Sequence, residues 1–214
     1  KPLFEKHKIL KIKNNKVLVG YNLRFHPILK YIKQIIKNKK IWFVSSSCTS
    51  YLPDWRKNIK YFKSVSAQKR LGGGVRLELS HESDYLLWLF SNLKLHYAFN
   101  KKISNLRVNA DDILDIICSN KKLKYLSLKL NFFSKLIQRN IHIEGQGISI
   151  FADLINFQMK VWNKKNNKEK LYKLKKINLL ELELKNLVKK NFNKFCSYKE
   201  GIKVNKFLSK IESF

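Results

Sequence analysis

The sequence predicts an α+β fold, a large, mainly antiparallel open sheet with helices on one side. Three observations lead there. Between residues 95 and 163 the chain breaks into short runs that alternate apolar and polar residues, as in Leu126-Ser127-Leu128-Lys129-Leu130. That period suits a strand with one buried face and one solvated or partner-covered face. Helical spacing is confined to segments before and after this block. No internal repeat is present, and 214 residues suffice for one substantial core, so residues 1–214 read as a single domain.

In chain order, Val17–Tyr21 is a short β-like run. Ile28–Ile36 has helical spacing and follows Pro27, whose fixed φ suits a first helical turn. Ile41–Tyr51 is rich in β-branched and small hydroxyl residues and reads as a strand. Residues 52–70 form an irregular, partly helical loop that carries Trp55, Arg56 and Tyr61. A glycine-led helix is expected over 74–90. Ile113–Cys118, Tyr125–Phe132, Asn140–Glu144, Ile148–Phe151 and Met159–Trp162 are the strand candidates, with Gly145-Gln146-Gly147 as a turn. Asn163–Lys170 reads as a polar turn. Ile177–Phe195 and Ile202–Ile211 read as helices, the first started by Asn178 and Glu181.

The formal charge of +30 raises the possibility of nucleic acid or an anionic membrane as partner. The form of that charge argues against both. It is almost all lysine, spread from end to end and mixed with Asn and Ile, the bias that AT-rich coding produces. Nucleic-acid binders also use arginine forks and clustered basic faces. Arginine occurs only at positions 24, 56, 70, 76, 107 and 139, and four of these six lie between 24 and 76. Cys48, Cys118 and Cys196 are far apart, with no Cys/His spacing for zinc, so no metal is expected. Sparse, unpaired cysteines fit reduced thiols and a cytoplasmic setting. The longest apolar stretch, near Tyr85–Phe90, is too short to span a bilayer.

The most informative string is Gly72-Gly73-Gly74-Val75-Arg76-Leu77-Glu78-Leu79-Ser80-His81-Glu82-Ser83-Asp84. Three of the seven glycines in the chain stand together there. Glycines at a helix start allow close backbone approach to a ligand, and the free amides there favour an anion. Glu78 and His81, three apart, would share one helix face, an arrangement suited to proton transfer on a bound substrate. The plain structural reading is a glycine turn before a core helix, with Glu78 complementing the helix dipole.

With its flanks, this string resembles the substrate-domain signature of the Gfo/Idh/MocA family of NAD(P)-dependent oxidoreductases. Further similar segments follow in order along the chain: Lys1-Pro2-Leu3, Val19-Gly20-Tyr21-Asn22-Leu23-Arg24-Phe25-His26-Pro27, Tyr51-Leu52-Pro53-Asp54-Trp55-Arg56, Asp111-Asp112 and Ile143-Glu144-Gly145-Gln146-Gly147. The resemblance runs from Lys1 to about Trp162. The chain departs from the family pattern in spacing the acid and the histidine three apart rather than four, with Glu in place of Asp.

The resemblance implies the family's C-terminal substrate and oligomerisation domain. The Gly-x-Gly-x-x-Gly turn of the family's N-terminal Rossmann half does not occur in this sequence. NAD or NADP would therefore be held by a Rossmann domain outside the chain, which alone would be inactive. The implied substrate is a sugar, polyol or nucleotide sugar, oxidised or reduced at a hydroxyl or carbonyl. Lys1 and His81 are the implied catalytic pair, with Lys1 also beside the cofactor and Glu78 as an orienting acid. Asp84 has an implied structural role. Arg24, Tyr51, Trp55 and Arg56 are candidates for sugar or phosphate contacts, against a core-packing reading of Trp55. His26 reads as a local packing or hydrogen-bonding residue. The open sheet is the implied homo-oligomer surface. Two rival readings stand beside this one, a catalytically inactive remnant or ligand-binding module, and a basic nucleic-acid-binding protein.

Overall fold

The structure is a computed structural model that describes residues 17–165 and 167–214. The chain enters through β1 (Leu18–Val19) and a 3-10 turn, Asn22–Phe25, then forms α1 (Pro27–Ile36) and the long strand β2 (Ile41–Tyr51). Short 3-10 turns carry it from Leu52 to Leu71. Then come α2 (Val75–Glu78), α3 (Ser80–Phe90), β3 (Lys94–Lys101), β4 (Ile113–Ser119), β5 (Leu123–Asn131), β6 (Phe133–Gly145), β7 (Ile148–Asp153), β8 (Gln158–Asn163) and β9 (Lys168–Lys173). The chain closes with α4 (Leu179–Val188), β10 (Cys196–Ser197) and α5 (Tyr198–Glu212).

Eight strands form one sheet in the order β3-β4-β5-β2-β6-β7-β8-β9. Only the β2–β5 pair is parallel. β2 is threaded between β5 and β6, so both of its edges are paired. One face carries Val44, Leu114, Ile116, Leu126, Leu128, Ile141 and Ile143, each at most 1% exposed. Ile28, Leu29 and Ile32 of α1 and Tyr85 and Leu86 of α3 join the same core. The α+β reading, with a mainly antiparallel sheet covered by helices on one side, is what the structure has. On the other face Tyr97, Phe99, Tyr125 and Phe151 are exposed. The Phe43 and Tyr125 rings stack there, 5.6 Å apart, and His142 meets the edge of Phe43.

Four element readings need correction. The helix expected over 74–90 is two helices. Val75, Leu77 and Leu79 are all buried, a two-residue spacing that an unbroken helix cannot turn toward one core. Leu79 takes φ −97° and ψ 28° and breaks it. The helix expected over 177–195 stops at Val188, and Lys190 turns left-handed at φ 55°. Its start is as read: Asn178 Oδ1 accepts from the amides of Leu180 and Glu181. β3 and β9 are additional strands at the two sheet edges, and the expected polar turn ends at Lys168, where β9 begins. Their lysines suit edge strands, because charge discourages further pairing. Finally, α5 starts at Tyr198 rather than 202, because Ser197 and Glu200 form a reciprocal capping box.

His26 joins the start of the first helix to the β7–β8 turn. Its Nδ1 accepts from the Ile28 amide at 3.2 Å, its Nε2–H donates to the Leu154 carbonyl at 3.0 Å, and its ring stacks on Phe157. Both nitrogens are engaged in the neutral form and the residue is fully buried. Burial lowers its pKa from 6.5 to about 4. As pH falls, the unfolded chain takes up this proton first. The stability contribution is therefore complete above pH 6.5 and lost between 6.5 and about 4, by roughly 3 kcal/mol. The carboxyls of Glu82, Asp84 and Asp111, raised by burial, act with the opposite sign. The readout is thus the difference between wild type and His26→Asn, whose side chain can still cap α1. Urea unfolding at pH 7.5 and 4.5 should show a smaller acid loss for His26→Asn; parallel losses would contradict the assignment.

Candidate functional site

The glycine turn packs against its own chain. Gly72, Gly73 and Gly74 donate their amides to the carbonyls of Lys69, Gln68 and Ser66. A Cβ on Gly73 would sit 2.2 Å from the Val65 carbonyl oxygen. Gly74 has φ 107°, and a Cβ there would sit 2.4 Å from Asp111 Oδ1. The next two amides are also taken: Val75 donates to the Asp111 carbonyl at 2.9 Å and Arg76 to Asp111 Oδ2 at 2.8 Å. The expected anion at this helix start is thus a carboxylate of the protein itself. The glycines allow two segments of chain to meet closely, which corrects the expectation of a backbone open to ligand.

Two side-chain groups flank the turn. On one side, Glu78 is half-buried and its Oε2 accepts from Ser66 Oγ at 2.9 Å. Ser66 also lines a narrow cleft with Leu52, Trp55, Arg56, Ile59 and Tyr61. The structure therefore links Trp55 and Arg56 to Glu78 through Ser66. Trp55 is 36% exposed; its edge contacts Phe132 and its Nε1–H donates to Ser50. It is both packed and presented. Arg56 is exposed. Tyr51 is half-buried at the end of β2, with the Lys135 amine 5.5 Å over its ring. On the other side of the Leu79 break, His81 opens α3, half-buried and edge-on to Tyr21 at 5.3 Å. Glu78 and His81 stand on different helices, so their three-residue spacing does not give the shared face of a continuous helix.

Arg24 has a different setting from the one expected of a substrate contact. It is 3% exposed and donates to both Asp84 oxygens and, at 2.8 Å, to Glu200. It thereby ties the Asn22–Phe25 turn to α3 and α5. Asp84 is the structural acid that the motif implied. Two further arginines do similar work. Arg76 binds Glu212 and the Leu208 carbonyl, and Arg139 pairs with the fully buried Glu82 at 2.7 Å. The forked guanidinium explains why arginine stands at these positions in a lysine-dominated chain.

Lys1 lies outside the described residues. Ser66 and Tyr21 are the site neighbours that sequence reasoning did not single out. Ser66 sits in an irregular loop with no periodic pattern to mark it. Tyr21 had a signal in its apolar setting beside the Arg24–Pro27 segment. Among the described residues no glycine turn offers free amides within a strand–helix–strand unit, so these residues do not fit a dinucleotide pyrophosphate. No helix among them is long and apolar enough to cross a membrane.

No protein-family model and no curated protein sequence matches the chain. Solved structures do. The UDP-N-acetylglucosamine 3-dehydrogenase GnnA from Acidithiobacillus ferrooxidans superposes with a TM-score of 0.71 at 13% identity, over 92% of this chain and 61% of that one. Levoglucosan dehydrogenase, in complex with NADH, gives 0.78 at 14% identity, over 94% and 64%. The WlbA dehydrogenase from Bordetella pertussis, in complex with NADH and UDP-GlcNAcA, gives 0.67 at 16% identity, over 92% and 60%. The chain has the fold of the Gfo/Idh/MocA C-terminal domain. It spans about 60% of the length of the WlbA structure and 64% of levoglucosan dehydrogenase. The Gfo/Idh/MocA resemblance read from the motifs therefore holds at the level of fold.

Proposed function

We propose that this chain is the substrate-side part of an NAD(P)-dependent oxidoreductase acting on a hydroxyl or carbonyl of a sugar, polyol or nucleotide sugar. The observation that carries the reading is the fold, shared over at least 91% of the chain with sugar and nucleotide-sugar dehydrogenases. The NAD or NADP, held by a Rossmann domain outside the described residues, supplies or accepts the hydride. The residues of this chain do the rest. The face of Trp55 stacks on a sugar ring, and Arg56 meets a carboxylate or phosphate. His81, at the first turn of α3, takes the proton from the reacting hydroxyl, with Lys1 stabilising the developing charge. Glu78, held by Ser66, orients the polar end of the substrate or His81 itself.

Calorimetric titration of NADH into this chain alone tests the division of labour. The expected result is no saturable binding in the micromolar range, because the amides of the glycine turn are already occupied. Micromolar affinity would overturn it.

The open sheet face is proposed as the surface on which two copies meet. Its exposed aromatic residues form the kind of apolar patch that marks association in soluble proteins. Light scattering at moderate salt, where charge repulsion between chains is screened, should report a dimer or higher oligomer. A monomer at high concentration under those conditions would count against this surface.

A further inference from the structure

At the end of α3 remote from His81, about 14 Å along the helix axis at 1.5 Å per residue, a groove opens between the C-terminal ends of α1 and α3. It has a volume of about 210 Å³, enough to seat part of a small molecule. Its floor is apolar, formed by Ile36 and Leu123, with Leu89 and Phe90 along one wall. Four lysines line it, Lys33, Lys37, Lys39 and Lys122, and no carboxylate does.

Lysine is abundant in this chain, and what marks these four is that they converge on an apolar floor with no carboxylate in the lining. Three lysines elsewhere pair with acids, Lys129 with Asp115, Lys160 with Glu169 and Lys185 with Glu181. Among the described residues, the four groove lysines have no carboxylate within ion-pair distance. They are not needed to satisfy the helix ends either. The Asn120 side-chain amide donates to the Phe90 and Ser91 carbonyls that close α3, and backbone amides of residues 37 and 39 close α1. The Lys33 amine is held 3.8 Å over the Trp88 ring. The remaining three, Lys37, Lys39 and Lys122, bring like charges to one apolar floor, and an anion between them relieves their repulsion.

We infer that this groove binds a small organic anion with an apolar body, an aryl or acyl sulfonate, carboxylate or phosphate. The apolar body covers Ile36 and Leu123, and the charged end lies among Lys37, Lys39 and Lys122. The site is separate from the proposed reaction site and does not depend on it.

Fluorescence titration with 8-anilinonaphthalene-1-sulfonate tests this at about 150 mM salt, where distant charges are screened. Wild type should bind one equivalent saturably, and inorganic sulfate at the same concentration should not displace it. Lys37→Gln/Lys122→Gln should weaken binding about five- to tenfold, the loss expected for two partly exposed ion pairs. Lys164→Gln/Lys168→Gln, with the same net charge but on the β8–β9 hairpin, should change it less than twofold. All of these positions are surface lysines, and unchanged thermal unfolding confirms that both variants fold. Equal losses in the two variants would reduce the effect to net charge and overturn the proposal. Unaltered binding in both would place the dye elsewhere, on the exposed leucines of α4, and overturn it too. So would absence of binding to wild type, or tighter association with anionic vesicles than with the dye.

Discussion

Arg24→Met is expected to destabilise the fold by about 3–5 kcal/mol, the cost of leaving a buried ionic partner alone. Asp84 is fully buried, and Arg24 makes three hydrogen bonds to it, with the Cys196 thiol as a weaker second donor. Burial already pushes the Asp84 carboxyl upward against the pull of Arg24. Without the guanidinium the carboxyl protonates or the segment opens. Glu200 behaves differently, because it is part-exposed and can turn to water. The double variant Arg24→Met/Asp84→Leu removes both charges together and should recover most of the loss. Urea unfolding of the three proteins is the measurement. A loss below about 1 kcal/mol in the single variant would place Arg24 outside the structural framework and return it to the list of substrate contacts.

Alternation along Leu126–Leu130 and the β-branched run from Ile41 disclosed the sheet, because strand periodicity is a local property. So did the helix opened by Pro27 and the start at Asn178. β9, Lys-Glu-Lys-Leu-Tyr-Lys, carries little of the apolar alternation that marks a central strand, whereas in β3 the alternation of Leu95, Tyr97 and Phe99 is legible in the sequence. The break at Leu79 was hidden for another reason. The string around it scans as helix, and only the demand to bury Val75, Leu77 and Leu79 together splits it. The capping box at Ser197 and Glu200 is legible in the sequence as Ser-x-x-Glu before an apolar helical pattern.

The site divides in the same way. His81 and the link from Trp55 and Arg56 toward Glu78 lie near the turn that the motif marked. The use of the glycines does not follow from sequence, since the carboxylate that fills the helix start comes from Asp111, far along the chain. Arg24 was misassigned for a related reason. Both of its partners, Asp84 and Glu200, lie 60 and 176 residues away. A side chain suited to gripping a substrate carboxylate is equally suited to gripping one inside the fold.

The second large effect concerns His81. It stands at the first turn of α3, half-buried and edge-on to Tyr21. The edge contact is worth about 1 kcal/mol, so its loss leaves the fold intact. The proton-transfer role, in contrast, is worth roughly 100-fold or more in rate. The decisive measurement is steady-state turnover of UDP-sugars with NAD by this chain joined to a dinucleotide-binding domain, for wild type and His81→Ala. Wild type should form NADH, and His81→Ala should lower turnover by about 100-fold or more while its thermal unfolding midpoint falls by only about 2–4 °C. Wild-type turnover in His81→Ala would contradict it and leave the glycine-led string as a purely structural turn.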